Sequence, residues 1–382
     1  MKFLDLFAGI GGFRLGLEQA GHECVGYVEI DKFARKSYEA IHDTKGEWTA
    51  NDITKVTDDE WRELRGTVDI ITGGFPCQSF SIAGKRRGFE DTRGTLFFDI
   101  ARAAEQIKPR YLFLENVRGL LSHDKGQTFA TILTALHELG YDATWQVCNA
   151  KNYGVPQNRE RVFIVGYLRE SSARKVFPLT GDDAAFNTKR IEKIGNIRKH
   201  GRSQSGDVVS IDGLAPTLCS TTTQKDPLKI VIPVLTPDRV EKRQNGRRFK
   251  DNGEDMFTLT AQDRHGILIR EATKKGYAEA FPGDSINVSH PNSKTRRGRV
   301  GKQVANTLLT GEEQAVVEND FRIRKLIPRE CWRLQGFPDW AFDKAEAVNS
   351  DSQLYKQSGN AVPPPVIFAI GRNFKGEEVE DS

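Results

Sequence analysis

The sequence predicts an α/β fold: a doubly wound, mostly parallel sheet followed by a second, smaller β-rich domain. Three observations predict it. Short apolar strands alternate with helical stretches over the first 170 residues, the pattern of a parallel sheet with crossover helices. The texture changes near residue 171, where Gly, Ser, Asn, Thr, Lys and Arg rise and long helical patterns stop. From Ile323 onward the chain becomes compact and apolar again. At 382 residues, two domains are expected, since one domain takes roughly 100–200 residues.

Taken in order, Lys2–Leu6 reads as a strand, Phe13–Ala20 as a helix, Glu23–Glu29 as a second strand and Phe33–Ile41 as a helix. Val68–Thr72 is a short β-branched strand. A helix near Phe97–Gln106 leads to a strand at Tyr111–Glu115. Phe129–Leu139 is an amphipathic helix, followed by strands at Ala143–Cys148 and Arg161–Leu168. Beyond these, Thr217-Leu218, Thr258-Leu259 and Thr307-Leu308 each lead to a β-branched run, at Lys229–Ile232, Ile267–Ile269 and Ala315–Val317. They read as successive β-hairpins, or as chance copies of a common dipeptide. Val366–Ile370 reads as a helix returning to the first domain. Boundaries are drawn at 1–178 for the first domain, 179–356 for the β-rich domain and 357–382 for the returning segment.

Composition narrows the class. With 38% hydrophobic and 28% charged residues, the chain suits a soluble globular protein. No run of about 18 apolar residues exists, so no membrane-spanning helix is expected. Met1-Lys2 runs straight into a strand pattern, and no signal peptide is expected. The five cysteines, Cys24, Cys77, Cys148, Cys219 and Cys331, are scattered without CxxC spacing. That argues against a disulfide framework and against a metal site, and points to a reducing cytoplasm. Between Ser171 and Lys325, 28 Lys and Arg face 19 Asp and Glu, a net +9, while the rest of the chain is net −5. One basic segment suggests a polyanion partner, though a solvated charged face has the same composition.

Asp5-Leu6-Phe7-Ala8-Gly9-Ile10-Gly11-Gly12 joins the first strand to the first helix. Glycines there let the backbone turn tightly and approach a ligand. The dinucleotide pattern wants a third glycine at position 14, where Arg14 stands, so a nicotinamide dehydrogenase is disfavoured. Glu29 ends the second strand, 20 residues after Gly9, placed to accept hydrogen bonds from a ribose. Asn51-Asp52-Ile53 follows a third strand and would meet an adenine. Singly, a glycine turn is structural and a post-strand Glu is solvated. Together they favour an adenosine cofactor without phosphates.

Gly73-Gly74-Phe75-Pro76-Cys77-Gln78-Ser79-Phe80-Ser81 follows the Val68–Thr72 strand, at the carboxyl edge where doubly wound sheets bind ligands. A Cys after Pro on a Gly-rich turn is presented to solvent, against the usual fate of free Cys as a small buried hydrophobe. Glu115-Asn116-Val117 ends the next strand, so a thiol and a carboxyl group would share one crevice. In Gln157-Asn158-Arg159-Glu160-Arg161, two arginines spaced by two share a face of extended chain. They would hold a phosphate or base carbonyl by paired N–H donors, or else be surface arginines. No His accompanies Cys77 in any motif, which disfavours a thiol hydrolase.

In this order, these segments resemble the cytosine-5 DNA methyltransferase family of bacterial and phage restriction–modification systems. The resemblance covers the first 170 residues and resumes at Arg329-Glu330-Cys331-Trp332-Arg333-Leu334-Gln335-Gly336-Phe337-Pro338 and Gly359-Asn360-Ala361-Val362-Pro363. It implies a Rossmann-like methyltransferase fold with S-adenosylmethionine held by Phe7, Gly9, Gly11, Glu29, Ile30, Asp52, Ile53, Pro76, Leu96, Asn360 and Val362. It implies Cys77 as nucleophile, Glu115 on the base at N3 and the exocyclic amine, Arg161 on the base carbonyl, and Arg159 on a phosphate or the nucleophile loop. Ile30 departs from the aromatic residue that often follows the ribose-binding Glu.

The implied partner is double-stranded DNA, with the cytosine flipped out of the stack. Ser79–Gly94, with Lys85-Arg86-Arg87 at its centre, is expected to close over the DNA and meet phosphates, with Gln78 and Ser81 nearby. For base reading or backbone grip the candidates are Arg264, Arg297 and Arg299, with Thr307 preferred among the Thr-Leu units as the specificity element. A monomer without metal or membrane contact is expected. Two rival readings stand beside this one: a tRNA cytosine-5 methyltransferase on the same scaffold, and a catalytically silent DNA-site reader.

Overall fold

A computed structural model describes residues 1–76, 96–169, 265–289, 297–311, 314–318 and 323–374. It also describes single residues 171, 176, 177, 179, 293 and 295, and the backbone of 193–196, 207–209 and 231–235. The first domain runs β1 (Lys2–Leu6), α1 (Gly12–Gln19), β2 (Glu23–Val28), α2 (Lys32–Ile41), β3 (Trp48–Ala50), α3 (Asp58–Glu63), β4 (Ile70–Gly74) and α4 (Leu96–Ile107). It continues through β5 (Tyr111–Val117), α5 (Gln127–Glu138), β6 (Tyr141–Asn149) and β7 (Glu160–Leu168).

These strands form one sheet in the order β3-β2-β1-β4-β5-β7-β6. The pairs β1–β2, β1–β4, β2–β3 and β4–β5 are parallel, and β7 runs antiparallel to both neighbours. The winding reverses between β1 and β4, which opens a crevice at their carboxyl ends. Both faces are covered, as a mostly parallel sheet requires. Because side chains alternate along a strand, Leu112 and Leu114 enter a core with Phe97, Ile100 and Ile132, while Tyr111 and Phe113 enter the opposite one. Local signals start the helices. Asp31 accepts from the backbone N–H of Phe33 and Ala34 to cap α2, and Thr57 with Glu60 forms a capping box on α3.

The chain after β7 holds small antiparallel sheets. They are built from β8 (Lys193–Asn196), β9 (Asp207–Val209), β10 (Val231–Leu235), β11 (His265–Arg270), β12 (Tyr277–Ala280), β13 (Ser285–Asn287), β14 (Val300–Gly301), β15 (Gln314–Val317) and β16 (Ile323–Lys325). A core of Ile267, Ile269, Ala280, Ile286, Ala315 and Val317 joins two of these sheets. The repeat of hairpins needs correction. Thr217 and Thr258 lie outside the described residues. The strands after them, β10 and β11, pair with each other, whereas β15 belongs to another sheet. Thr307-Leu308 forms no hairpin, and Leu308 instead packs with Leu326 and Cys331.

Four helices follow in the described residues: α6 (Pro328–Leu334), α7 (Asp339–Glu346), α8 (Asp351–Asn360) and α9 (Pro364–Gly371). α9 returns to the sheet, burying Val366, Ile367 and Ile370 with Phe3, Phe13 and Phe113. The boundary drawn at 356 cuts through a packed unit. Trp332, Phe337, Phe342 and Leu354 share a core with Ile10 and Ile41, so apolar burial joins α6–α8 to the first domain.

Candidate active site

The turn from β1 to α1 is built for close approach. Phe7, Gly9 and Gly11 have φ of 55°, 58° and 85°. A Cβ on Gly11 would lie 2.0 Å from His42 Nε2, and one on Gly12 2.1 Å from the Val362 carbonyl oxygen. Only glycine lets this turn sit against α2 on one side and the Ala361-Val362 segment on the other. Arg14, where a dinucleotide site would have glycine, is buried and donates to Glu18, to both carboxylate oxygens of Glu47 and to the Asp43 carbonyl.

At the end of β2, Glu29 is buried and fixed by two backbone donors. Gly9 N–H lies 2.7 Å from Oε2 and Asp31 N–H 2.7 Å from Oε1. Burial pushes its carboxyl above the usual range, against those two hydrogen bonds. Ile30 beside it is 71% exposed. Past β3, Asp52 accepts from Thr54 N–H and Oγ1 at 3.0 and 2.8 Å, and Ile53 is buried. Leu96, at the start of α4, packs against the first core.

Between the turn and the carboxyl ends of β4 and β5 lies a pocket with about 330 Å³ of empty space, its open mouth included. Phe7, Gly9, Gly74, Glu115, Asn360 and Val362 line it. Gly74 pairs with Glu115 across the two strands, and a Cβ there would stand 3.3 Å from Glu115 Oε2. Glu115 is 7% exposed, and Arg161 Nε lies 2.9 Å from its Oε1. Burial raises the Glu115 pKa, while the charges of Arg161 and Arg159 lower it. Asn116 Nδ2 donates to the Phe75 carbonyl at 2.8 Å and so holds the chain that leads to the exposed Pro76. Cys77, Gln78, Ser81, Lys85, Arg86, Arg87 and Arg264 lie outside the described residues.

Arg159 is buried beside this group. Its guanidinium donates to the carbonyls of Leu308, Gly359 and Ala361 at 3.4, 3.1 and 2.9 Å. Its described contacts are therefore carbonyls of the Thr307-Leu308 loop and of the pocket wall. Gln157 precedes Arg159 in the same segment. It is fully buried, accepts from Leu308 N–H at 3.2 Å and donates to the Leu334 carbonyl at 2.7 Å. Thr307 Oγ1 donates to the Asn158 carbonyl at 2.7 Å. Nothing in a lone sequence shows that Gln157 faces inward, since its partners are 151 and 177 residues away.

The expectation for Arg299 is corrected. It is 1% exposed and donates to the Asn287 and Ser289 carbonyls at 3.1 and 2.7 Å, so it braces the β-rich core and presents no charge to a phosphate. Arg297 is exposed, with Nε on the Ala272 carbonyl at 3.0 Å. Among the described residues no group of His, Cys, Asp and Glu is arranged to hold a metal, and no helix is long and apolar enough to cross a membrane.

The reversed sheet, with its glycine turn and carboxylates around one crevice, has the architecture of α/β methyltransferases. Two solved structures share that fold across nearly the whole chain. A putative DNA modification methyltransferase encoded within an E. coli prophage aligns with a TM-score of 0.53 at 20% identity, covering 98% of each chain. The S. pombe Dnmt2 methyltransferase aligns at 0.51 and 16% identity, covering 97% of this chain and 96% of that one. The chain belongs to the C-5 cytosine-specific DNA methylase family, whose profile matches residues 1–376. It is 32% identical to the orphan methyltransferase M.SPRI of Bacillus phage SPR, over 97% of this chain and 96% of the relative. It is 35% identical to the type II methyltransferase M.SsoII of Shigella sonnei, over 98% of this chain and 79% of that one.

Proposed function

We propose that this enzyme methylates carbon 5 of a cytosine flipped out of a specific duplex DNA site, with S-adenosylmethionine as donor and Cys77 as covalent nucleophile. The observation that carries the reading is Glu115: a buried carboxyl with raised pKa, paired with Arg161, on the wall of the pocket formed by the glycine turn. The glycine turn and the end of β2 suit this cofactor. The Gly9 turn is open where a side chain would intrude, with no atom nearer than 4.0 Å to a Cβ there, and Glu29 keeps unused lone pairs for ribose hydroxyls. In this reading Glu29 holds the ribose, Asp52 and Ile53 the adenine, and Phe7, Gly11, Pro76, Leu96, Asn360 and Val362 complete the site. Ile30, exposed beside Glu29, would cover the adenine edge.

When bound, S-adenosylmethionine supplies an electrophilic methyl group for carbon 5. The chain's own residues make carbon 5 able to accept it. Cys77 thiolate adds to carbon 6, forming the C6–S bond, and the displaced electron pair is drawn toward N3. Glu115 places a proton on N3, a role that its raised pKa serves. Arg161 holds the base carbonyl and orients Glu115. Loss of the carbon 5 proton to a base, return of the N3 proton to Glu115 and departure of Cys77 as thiolate restore the aromatic ring. Arg159 fixes the pocket wall to the Thr307-Leu308 loop, and the small β sheets with Thr307 and Arg297 read the DNA. Lys85, Arg86 and Arg87 would grip phosphates, with Gln78 and Ser81 beside the flipped base. The phage and type II relatives suggest a self-protection or restriction–modification role.

The test is transfer of labelled methyl from S-adenosylmethionine to unmethylated genomic DNA and to bulk tRNA, with Cys77→Ser as control. Label in 5-methylcytosine of DNA, absent with Cys77→Ser, is expected. Transfer to tRNA alone would refute the substrate.

A further inference from the structure

We infer that Arg35 is a positioning residue for the cofactor: it ties the end of β2 to the end of β3 and so sets the spacing between Glu29 and Asp52. Its Nε donates to the Glu29 carbonyl at 3.3 Å, one terminal nitrogen donates to Tyr27 OH at 3.1 Å and Thr49 Oγ1 at 3.0 Å, and the other donates to the Ala50 carbonyl. The guanidinium also lies 4.9 Å from the Tyr27 ring centroid. Strands β2 and β3 pair only as far as Val28 with Ala50. Beyond that pair the backbone diverges into Glu29-Ile30 and Asn51-Asp52-Ile53, and no ladder bond holds the two loops together. Arg35 grips the Ala50 carbonyl of that last pair and the Glu29 carbonyl one residue beyond its partner Val28.

Residue chemistry supports this use. A guanidinium offers five donors in a rigid planar fork, which can bridge several acceptors at fixed spacing; a lysine ammonium is a point charge on a flexible stem. The Arg35–Glu39 ion pair is a weaker reason for the residue, since it is 3.4 Å long and Glu39 is 46% exposed. The inference rests on the adenosyl reading of the pocket, in which Glu29 and Asp52 contact the two ends of the nucleoside.

The test titrates S-adenosylhomocysteine, and adenosine alone, into wild type, Arg35→Lys and Arg35→Met by calorimetry. Both variants are expected to bind each ligand about tenfold more weakly, because the spacing of their polar contacts is lost. KM for S-adenosylmethionine rises accordingly, while kcat on unmethylated genomic DNA at saturating cofactor stays within about twofold of wild type. Thermal melting without ligand monitors folding, and Arg35→Lys, which keeps charge and bulk, decides the matter if Arg35→Met does not fold. Wild-type affinity in Arg35→Lys, or parallel loss of kcat and KM effects with an altered melting transition, overturns the inference. Wild type that binds neither ligand overturns the adenosyl reading itself.

Discussion

Replacing Arg161 with methionine is expected to destabilise the protein by an amount that grows with pH. Arg161 Nε sits 2.9 Å from Glu115 Oε1, and the two side chains are 15% and 10% exposed. Removing one partner of a buried pair costs about 3–5 kcal/mol when the remaining charge stays uncompensated. Glu115 has another course, which is to take up a proton. From an unfolded value of 4.5 this costs about 1.4 kcal/mol per pH unit, hence about 3.4 kcal/mol at pH 7. Protonation caps the loss at neutral pH at about that figure, and the cap falls toward zero as the pH approaches 4.5.

The direction follows from the proton count. Burial already raises the folded pKa of Glu115, and Arg161 is the strongest influence opposing that rise. Without Arg161 the folded pKa climbs further, so the folded variant holds a proton that the unfolded chain releases. Stability is then fully present below the unfolded value and is lost as pH rises toward the folded one. Urea unfolding at about pH 5 and about pH 7.5, followed by fluorescence of the buried Trp61 and Trp332, measures it. The gap between wild type and Arg161→Met is expected to widen by roughly 1–3 kcal/mol between these conditions. An equal gap at both pH values would refute the reasoning, because it would mean that Glu115 does not take up the proton.

Gln157→Leu leaves the Leu308 N–H and the Leu334 carbonyl without their partner, at about 1–3 kcal/mol for each buried unpaired group. The Thr307-Leu308 loop should loosen from the catalytic strand, raising KM for DNA more than it lowers kcat in steady-state transfer assays. Gly12→Ala places a Cβ 2.1 Å from the Val362 carbonyl oxygen, and since that neighbour is backbone the pocket wall has to shift. Calorimetry should show S-adenosylhomocysteine binding at least about tenfold weaker, where an effect under about twofold would contradict the described geometry.

Much of the sheet was legible because both faces are buried and the strands read as short apolar runs between glycine turns and helical stretches. The carboxyl edge was legible for the same reason: Gly9, Gly74 and Glu115 lie at or just past the carboxyl ends of β1, β4 and β5, neighbours in the sheet, and the fold brings them to one pocket. Contacts formed at long range were not. The composition of Arg296–Arg299 shows charge, but the burial of Arg299 depends on carbonyls of Asn287 and Ser289 presented by another strand. The membership of α6–α8 in the first domain depends on Ile10 and Ile41 meeting Trp332 and Phe337, a pairing across some 300 residues that no periodicity announces. Arg35 was invisible likewise, since an arginine on an amphipathic helix reads as solvated until its partners at Thr49 and Ala50 are seen.

The central claim, a covalent Cys77 mechanism on a flipped cytosine, is tested most directly with duplex DNA carrying 5-fluorocytosine and labelled S-adenosylmethionine. Fluorine at carbon 5 cannot leave as a proton does, so the adduct should persist. The account predicts an SDS-stable protein–DNA complex with wild type on a mixed-sequence duplex pool and none with Cys77→Ser; sequencing the trapped DNA would reveal the target site. A protein that binds the cofactor and DNA yet traps no adduct, or one that traps equally well with Cys77→Ser, would contradict it.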